Sequence, residues 1–477
     1  MAGLNNIRSR FTSRSFRLGM YSTISSIIVI AIAVAAILLA DELPSTYTKF
    51  DITKDRLYTL SEQTENLVRD LDKDVDIYLI AQSGGENQAL LEMLGRYEAL
   101  SDKIHVIKKD PVLYPNFASQ YTDSDVYENS LIVVSGERSK YVSYYEIFVT
   151  NYDYYTYTQY TNFYGENCIT SAIDYVTSDK LPKAYILKGH GEIDMPSEAR
   201  SAISNENILT EEFSFLTNDA VPEDADCLII LSPSSDITET EKDKIITYLK
   251  GGGNLCLITN YTGMDMPNLD ALINYYGVEK VDGIVLENDQ NYCLSKYKHY
   301  LLPKINSHAI TSPLLEGGYY ALMPVAEGLR ELKNPRDTVS ITKLLTTSGS
   351  SYSKDGLNMT TSEKEEGDEE GPFFVGAAIT DTTGDRETKI VLYTTSGMLD
   401  PSVDVIVAGS NTDLFINSLN WMCEKEENIS IRPKTVSYEY LTINAAAASG
   451  WSIILVGVIP AGFLTAGIVV WFKRRRK

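Results

Sequence analysis

Two long apolar runs, one near each end of the chain, contain no charged residue. They cover residues 20–40 and 449–472. Each is close to the roughly 20 residues that a helix needs to cross about 30 Å of hydrocarbon. Trp451 and Trp471 bracket the second run, as a pair of interfacial anchors would. The pattern predicts two transmembrane helices, with a cleaved signal peptide, cut near residues 34–36, as the alternative for the first.

Basic residues flank both runs on the side of the chain terminus. Four arginines and no acid precede the first run, and five basic residues, 473–477, follow the second. Because positive flanks stay on the cytoplasmic side, residues 1–19 and 473–477 are predicted to be cytoplasmic, and residues 41–448 extracytoplasmic at the plasma membrane. The segment 41–448 carries a net charge of -32, which argues against nucleic-acid binding because phosphates would be repelled.

Short strands and helices alternate after the first apolar run. The predicted strands are 75–81, 104–109, 130–135 and 140–148, and the predicted helices are 87–101 and 117–121. This order resembles a thioredoxin-like domain over residues 41–150. A redox thioredoxin carries C-x-x-C directly after such a first strand, whereas residues 82–85 here are Gln-Ser-Gly-Gly. Thiol–disulfide chemistry is therefore excluded.

A tyrosine-rich linker is predicted over residues 151–166. Tyrosine combines a flat apolar face with a polar tip, which suits contacts with proteins or sugars. The candidate contact residues are Tyr152, Tyr154, Tyr155 and Tyr157. The alternative is an extended linker or hairpin whose rings pack on a neighbouring domain.

Strand and helix patterns also alternate from residue 167 to residue 435. The predicted elements are helix 168–178, strand 183–188, helix 197–207, strand 226–231, helix 239–250, strand 254–259, strand 389–394 and helix 413–423. Such alternation is typical of an α/β domain with a parallel sheet covered by helices. Residues 348–371, rich in Ser, Gly, Lys and Glu, are predicted to form a disordered, solvated loop without chemistry.

The candidate ligand-binding loop follows the strand 183–188, at the end of a parallel strand where ligands usually bind. Its residues are Gly189, His190, Gly191, Glu192 and Asp194. The loop is also compatible with a purely structural turn, in which the two glycines supply unusual dihedral angles. A hydrolase site built on His190 and Glu192 is a third alternative.

Other catalytic signatures are missing from the sequence. There is no Walker A motif, no nucleophile elbow and no metal-ligand spacing, and the five cysteines are scattered. An enzyme needs a nucleophile, a base and an orienting group together. The sequence therefore predicts a non-enzyme without catalytic residues, metal or cofactor.

An ordered series of short motifs resembles the GldG-like auxiliary subunits of ABC transport systems, first associated with gliding motility. The matching segments are 51–53, 57–61, 167–173, 182–192, 232–233 with the glycines at 251–253, 411–421 and 429–434. The resemblance implies that the second domain is similar to class I glutamine amidotransferases but lacks the catalytic cysteine. It also implies two partners, a multi-span permease and a cytoplasmic ATPase.

Two functions of different kinds follow from these observations. The first is a non-catalytic extracytoplasmic subunit of an ABC transporter, which the resemblance implies. The second is a module that binds cell-envelope glycan or protein, which the tyrosine-rich segment and the loop 189–194 favour.

Overall fold

The computed structural model describes residues 21, 24–35, 51, 56–153, 158–295, 297–356, 359–383, 386–423, 434–436 and 450–475. The chain is a mixed α/β protein that divides into two units. Unit 1 comprises residues 1–149 and 163–434, and unit 2 comprises residues 150–162 and 435–477.

The N-terminal part of unit 1 is built on a four-stranded sheet. Its elements are α1 (Glu62–Arg69), β1 (Val75–Ile80), α2 (Gln88–Leu100), β2 (Ile104–Lys109), β3 (Ser130–Ser135), β4 (Arg138–Val142), α3 (Tyr144–Ile147) and α4 (Gly165–Thr177). The sheet order is β2-β1-β3-β4, with β2 parallel and β3 antiparallel to β1. The strand predicted over 140–148 ends at Val142, because Ser143 and Glu146 form a capping box that begins α3.

Helix α4 completes the N-terminal sheet, since it packs against β3 and β4. Two cations bind its C-terminal carbonyl oxygens. Arg138 donates to the carbonyl of Tyr175 at 3.3 Å, and the Lys73 ammonium donates to that of Thr177 at 2.6 Å. The domain boundary predicted at residue 167 therefore falls inside a helix that belongs to the first sheet.

The remainder of unit 1 surrounds a ten-stranded sheet. Its strands are β7 (Lys183–Leu187), β8 (Leu209–Phe213), β9 (Cys227–Leu231), β10 (Leu255–Ile258), β11 (Val278–Val281), β15 (Lys304–Ile305), β17 (Gly328–Glu331), β18 (Val339–Thr346), β21 (Phe374–Asp381) and β22 (Thr388–Tyr393). The main order is β11-β17-β21-β22-β10-β9-β7-β8. The five strands from β22 to β8 are parallel, and the strands beyond β22 are antiparallel.

Helices cover both faces of this sheet, which explains why β9 and β10 are continuous apolar runs. Helices α5 (Ser197–Asn205) and α10 (Ser410–Met422) pack on one face. Helices α6 (Glu239–Lys250) and α7 (Pro267–Tyr275) pack on the other. The short helices α8 (Ser312–Glu316) and α9 (Pro401–Asp404) lie in the connections.

Two small sheets lie in the long connections of the ten-stranded sheet. One consists of β12 (Ile284–Leu286), β19 (Tyr352–Lys354) and β20 (Glu369–Glu370), and the other of β13 (Cys293–Leu294), β14 (Tyr297–Leu301) and β16 (Met323–Pro324). The prediction of a disordered loop over 348–371 is wrong for the described residues 348–356 and 359–371.

Buried groups within this segment explain why it is ordered. The Tyr352 ring is fully buried, and the Lys354 ammonium pairs with Glu365 and, at 3.4 Å, with Asp368. The Lys354 pairs neutralise part of the acidic run, which a prediction from composition alone does not take into account.

Unit 2 contains one apolar helix. It covers Gly450–Lys473, its most apolar 18 residues have a mean hydropathy of 2.5, and it is long enough to cross a membrane. A π-helical stretch, Ile453–Val458, comes just before Pro460, whose missing N–H disturbs the α-helical ladder. Most of a three-stranded sheet also lies in unit 2. Its strands are β5 (Phe148–Asp153), β6 (Thr158–Phe163) and β23 (Lys434–Val436).

The first predicted span is described only in part. Ile24–Ala35 is an apolar helix, which is too short by itself to cross a bilayer. Of the predicted span 20–40, residues 20, 22–23 and 36–40 lie outside the described residues.

Candidate functional site

The loop that follows β7 lies where the parallel strands diverge. The chain moves from β7 to β8 on one side of β7, while β9 and then β10 lie on its other side. In open α/β sheets, the crevice at the carboxyl ends of two such strands is the usual ligand site. The loops after β7 and β9 therefore border the position that the fold offers for a ligand.

His190 lies in the loop after β7, and its ring bonds to a carboxylate at each nitrogen. Nδ1 lies 3.2 Å from Oε1 of Glu192, and Nε2 lies 3.1 Å from Oε2 of Glu241. The three side chains are 11%, 1% and 12% exposed, respectively. Water is thus largely excluded from the cluster, here called the His190 bridge.

Local sequence places both carboxylates of the His190 bridge. Glu192 turns back onto its own loop, where Oε2 accepts hydrogen bonds from the backbone N–H groups of Gly189 and His190, both at 2.9 Å. Glu241 stands at the third position of α6, in a capping box with Thr238, and accepts from the Thr238 N–H at 2.8 Å. The bridge therefore joins the loop after β7 to the start of α6.

The backbone of the same loop bonds to the loop after β9. The His190 carbonyl accepts hydrogen bonds from the N–H groups of Ser234 at 2.9 Å and Ser235 at 3.0 Å. Gly191 has a φ of +69°, and a Cβ there would lie 2.1 Å from the Ser234 hydroxyl oxygen. Only glycine fits this close approach without rearrangement.

Proton affinities within the His190 bridge favour an imidazolium between two carboxylates. The pKa of His190 is raised above its ordinary value. The largest cause is its hydrogen bond to the Glu192 carboxylate. Burial opposes the rise, and the hydrogen bond to the Glu241 carboxylate adds to it. Burial alone would raise the pKa of Glu192 and of Glu241, but their hydrogen bonds hold both values below the ordinary range.

This arrangement leaves His190 without a free nitrogen for catalysis. A general base needs an unprotonated nitrogen within hydrogen-bond reach of the substrate proton. Both nitrogens of His190 are instead held by carboxylates. These contacts are the ones that the structural alternative requires, and the ligand-binding and hydrolase alternatives for this loop stay predictions.

Asp194, the remaining candidate of the loop, does not join the cluster. Its side chain is 92% exposed and pairs with the Lys188 ammonium at 2.8 Å. The Lys188 hydrogen bond lowers the pKa of this carboxyl group. Asp194 is therefore a surface ion pair, which contributes little to stability.

The tyrosine candidates are placed differently. Tyr152 lies in β5 of the three-stranded sheet. Tyr154, Tyr155 and Tyr157 lie outside the described residues. Their predicted role as contact residues stays a prediction.

Sequence reasoning missed Glu241 and the pair Ser234 and Ser235. The capping-box pattern at 238–241 was visible in the sequence and marks Glu241 as a helix-capping residue, but nothing in the spacing shows that it also reaches His190, 51 residues earlier. Among the described residues, no group of three or more His, Cys, Asp or Glu side chains is arranged to hold a metal ion.

The N-terminal part of the chain matches one protein family. Residues 54–150 match a family described as a domain of unknown function (DUF7088). No curated protein matches the sequence.

Several solved structures are distantly similar to this chain. The mmIFT52 N-terminal domain aligns at 12% identity and a TM-score of 0.39, covering 51% of this chain and 98% of that one. PurLQS from Thermotoga maritima aligns at 11% identity and a TM-score of 0.27, covering 51% and 100%. A Thermoplasma acidophilum protein described as part of a GMP synthase aligns at 11% identity and a TM-score of 0.27, covering 52% and 96%. None of these likenesses is close enough to decide function.

Proposed function

We propose that this chain is a non-catalytic, membrane-anchored, extracytoplasmic subunit of an ABC transporter that works with a separate permease and ATPase. The observation that carries the proposal is the closed His190 bridge. The His190 ring, held between Glu192 and Glu241, ties the loop after β7 to α6, which is the kind of contact that a rigid scaffold needs.

Contacts between the resemblance motifs give the proposal further support. The segment 57–61 contacts the helix that contains 167–173, since the Ser61 N–H donates to Glu166 at 2.5 Å. The segments 182–192 and 232–233 lead into the two loops that His190 joins. In the segment 411–421, the buried Asn411 amide donates to the carbonyl of Leu322 at 2.8 Å and accepts from its N–H at 3.0 Å. Residues of these motifs therefore make hydrogen bonds that stabilise the fold of unit 1.

The proposal also includes the fold type of each of the two domains and the number of membrane spans. Strand order β2-β1-β3-β4 with α2 and α4 supports a thioredoxin-like N-terminal domain. The parallel order β22-β10-β9-β7-β8, covered by helices on both faces, supports an amidotransferase-like second domain. The proposed topology has two spans, 20–40 and 449–472, with both termini in the cytoplasm.

The test is purification of the tagged full chain from gently solubilised native membranes, followed by mass spectrometry. The proposal expects a Walker-motif ATPase and a polytopic permease to accompany it. The matched variant is His190→Gln, which removes any imidazole chemistry and weakens the bridge to Glu192 and Glu241, so its folded fraction is measured alongside. Equal recovery of partners with both proteins, and equal transport in cells, would support a non-catalytic role. Loss of transport with partner binding intact would contradict it.

A further inference from the structure

Exposed apolar side chains gather at one end of the four-stranded sheet. Strands β1, β2 and β4 run in the same direction and β3 runs against them, so three carboxyl ends and one amino end meet at a single edge. Five large hydrophobic side chains between residues 56 and 149 are exposed, by 43% to 71%. They are Val112, Leu113, Tyr114, Tyr127 and Tyr145. All five lie in the connections at this edge, and they are here called the apolar rim.

Local contacts hold the apolar rim in its exposed position. Asp110 ends β2 and caps a single turn: its Oδ1 accepts from the N–H of Val112 at 2.8 Å, and its carbonyl accepts from that of Tyr114 at 2.9 Å. The rings of Tyr127 and Tyr145 meet edge to face with their centroids 4.9 Å apart. Exposure of these side chains is therefore built into the fold.

The opposite end of the sheet has the reverse character. Its connections, residues 70–74, 101–103 and 136–137, carry charged side chains and no exposed large hydrophobic one. Soluble surfaces scatter single apolar residues, whereas a gathered set marks a contact surface. The N-terminal sheet thus has one polar end and one apolar end.

The segment that follows the first apolar run joins the N-terminal sheet at the sheet's apolar end. The Ser61 N–H bonds to Glu166 in the first turn of α4, and the Tyr164 N–H just before α4 donates to the carbonyl of Ile147, which follows β4. Asp51 accepts from the Tyr58 N–H at 2.7 Å, so it lies close to this end as well. Only residues 41–50 separate Asp51 from the predicted end of the span at residue 40. Ten residues reach at most about 35 Å when fully extended.

We propose that the apolar rim rests in the interfacial layer of the outer leaflet and so fixes which end of the ectodomain faces the membrane. Tyrosine rings favour the headgroup level, and Leu and Val side chains at a turn can enter the acyl boundary. Asp123 and Asp125 lie near Tyr127 in the chain, and the Lys109 ammonium lies 5.2 Å from the centre of the Tyr114 ring. Because charges of both signs accompany the rim, we expect its contact with phospholipid to depend on apolar burial. This inference rests on the proposed extracytoplasmic location, and not on the transporter partners.

Site-specific photo-crosslinking in the full chain tests the contact. Three single-site versions carry p-benzoylphenylalanine in place of Leu113, Leu216 or Phe463, and each is reconstituted into phosphatidylcholine vesicles and irradiated. Leu216 is 86% exposed and follows β8, far from the apolar rim in sequence, and Phe463 is in the C-terminal apolar helix. We expect phospholipid adducts from positions 113 and 463, and at least tenfold fewer from position 216.

The other outcomes separate the two claims. Lipid adducts at 463 without lipid adducts at 113 would overturn the rim inference while leaving the membrane anchor intact. Absence of lipid adducts at both 113 and 463 would overturn the anchor, and the rim inference with it. The same three proteins irradiated in native membranes provide a second test, in which a protein adduct at 113 in place of lipid would assign the rim to a protein partner and contradict the inference.

Discussion

The backbone N–H of Ser61 donates a hydrogen bond to Oε1 of Glu166, 105 residues later, at 2.5 Å. The same oxygen accepts the Thr64 hydroxyl at 3.1 Å, and Tyr97 donates to the Glu166 carbonyl at 3.1 Å. Glu166 is 3% exposed and Thr64 is fully buried. This network ties the segment after the first apolar run to the helix that completes the N-terminal sheet.

Replacement of Glu166 should destabilise unit 1. In Glu166→Ala, the Ser61 N–H loses its acceptor, which costs about 1 to 3 kcal/mol, while the buried Thr64 hydroxyl keeps the Thr170 hydroxyl, 2.9 Å away. The measurement is urea-induced unfolding of the full chain in detergent. Glu62→Ala is the matched control, because Glu62 is an exposed residue of the neighbouring helix. Equal unfolding midpoints for the two variants would contradict the assignment.

Stability should depend on pH through the His190 bridge. The folded-state pKa of His190 is raised, so its contribution is complete below the ordinary value and is lost as pH rises through the raised one. The folded-state pKa values of Glu192 and Glu241 are lowered, so their contribution is present above the ordinary value and is lost as pH falls through the lowered one. The bridge therefore stabilises the folded protein most at a pH between the ordinary pKa of glutamic acid and the ordinary pKa of histidine.

His190→Gln isolates this contribution. The variant should unfold more easily by about 1 to 3 kcal/mol at pH near 6, and the difference from the parent protein should shrink at higher pH. Urea unfolding from about pH 4 to about pH 9 measures both effects. A difference that stays constant across the range would show that the bridge does not carry an ionised histidine.

Gly191→Ala should be destabilising for two separable reasons. The left-handed backbone costs an alanine about 1 to 2 kcal/mol, and the new Cβ would also press on the Ser234 hydroxyl. In a Ser234→Ala background the steric part disappears, so the loss caused by Gly191→Ala should become smaller. Gly136→Ala is the control, since its φ is +57° and no atom lies within 4 Å of the new Cβ. If the loss is the same in both backgrounds, the proposed close approach is wrong.

Lys354→Met should loosen the acidic segment 359–371. Without the ammonium, Glu365 and Asp368 lose their ion pairs, and the segment should exchange its amide hydrogens faster. Hydrogen–deuterium exchange of the full chain measures this change. Lys364→Met is the control, because Lys364 pairs with Glu370 at the exposed surface. Unchanged exchange in Lys354→Met would mean that other contacts order the segment.

Patterns local in sequence predicted four of the ten strands of the large sheet, β7, β9, β10 and β22, and three of the helices that cover it, α5, α6 and α10. Buried runs such as 227–231 and 255–258 were recognisable because helices cover both faces of the sheet. The capping box at Thr238 likewise marked the start of α6. The antiparallel extension, β11, β17, β18 and β21, was not predicted. Strands β11, β17 and β18 mix buried and exposed positions without a regular alternation, and β18 pairs with β21 across a long connection.

Long-range charge pairing accounts for the principal errors. The sequence 363–370 has the composition of a disordered segment, but Glu363, Glu365 and Glu369 pair with Lys298, Lys354 and Arg330, and its end pairs with β19. For the same reason the sequence did not show that Glu241 lies beside His190 in the loop 189–194. The composition of a short stretch of sequence does not show an ion-pair partner that lies dozens of residues away.

The measurement that tests the central claim most directly is quantitative mass spectrometry of the tagged full chain purified from native membranes. A permease and a Walker-motif ATPase that accompany the chain in a fixed ratio, and withstand a salt wash, are the predicted result. Recovery of the chain alone, or with cell-wall components only, would contradict the assignment as a transporter subunit.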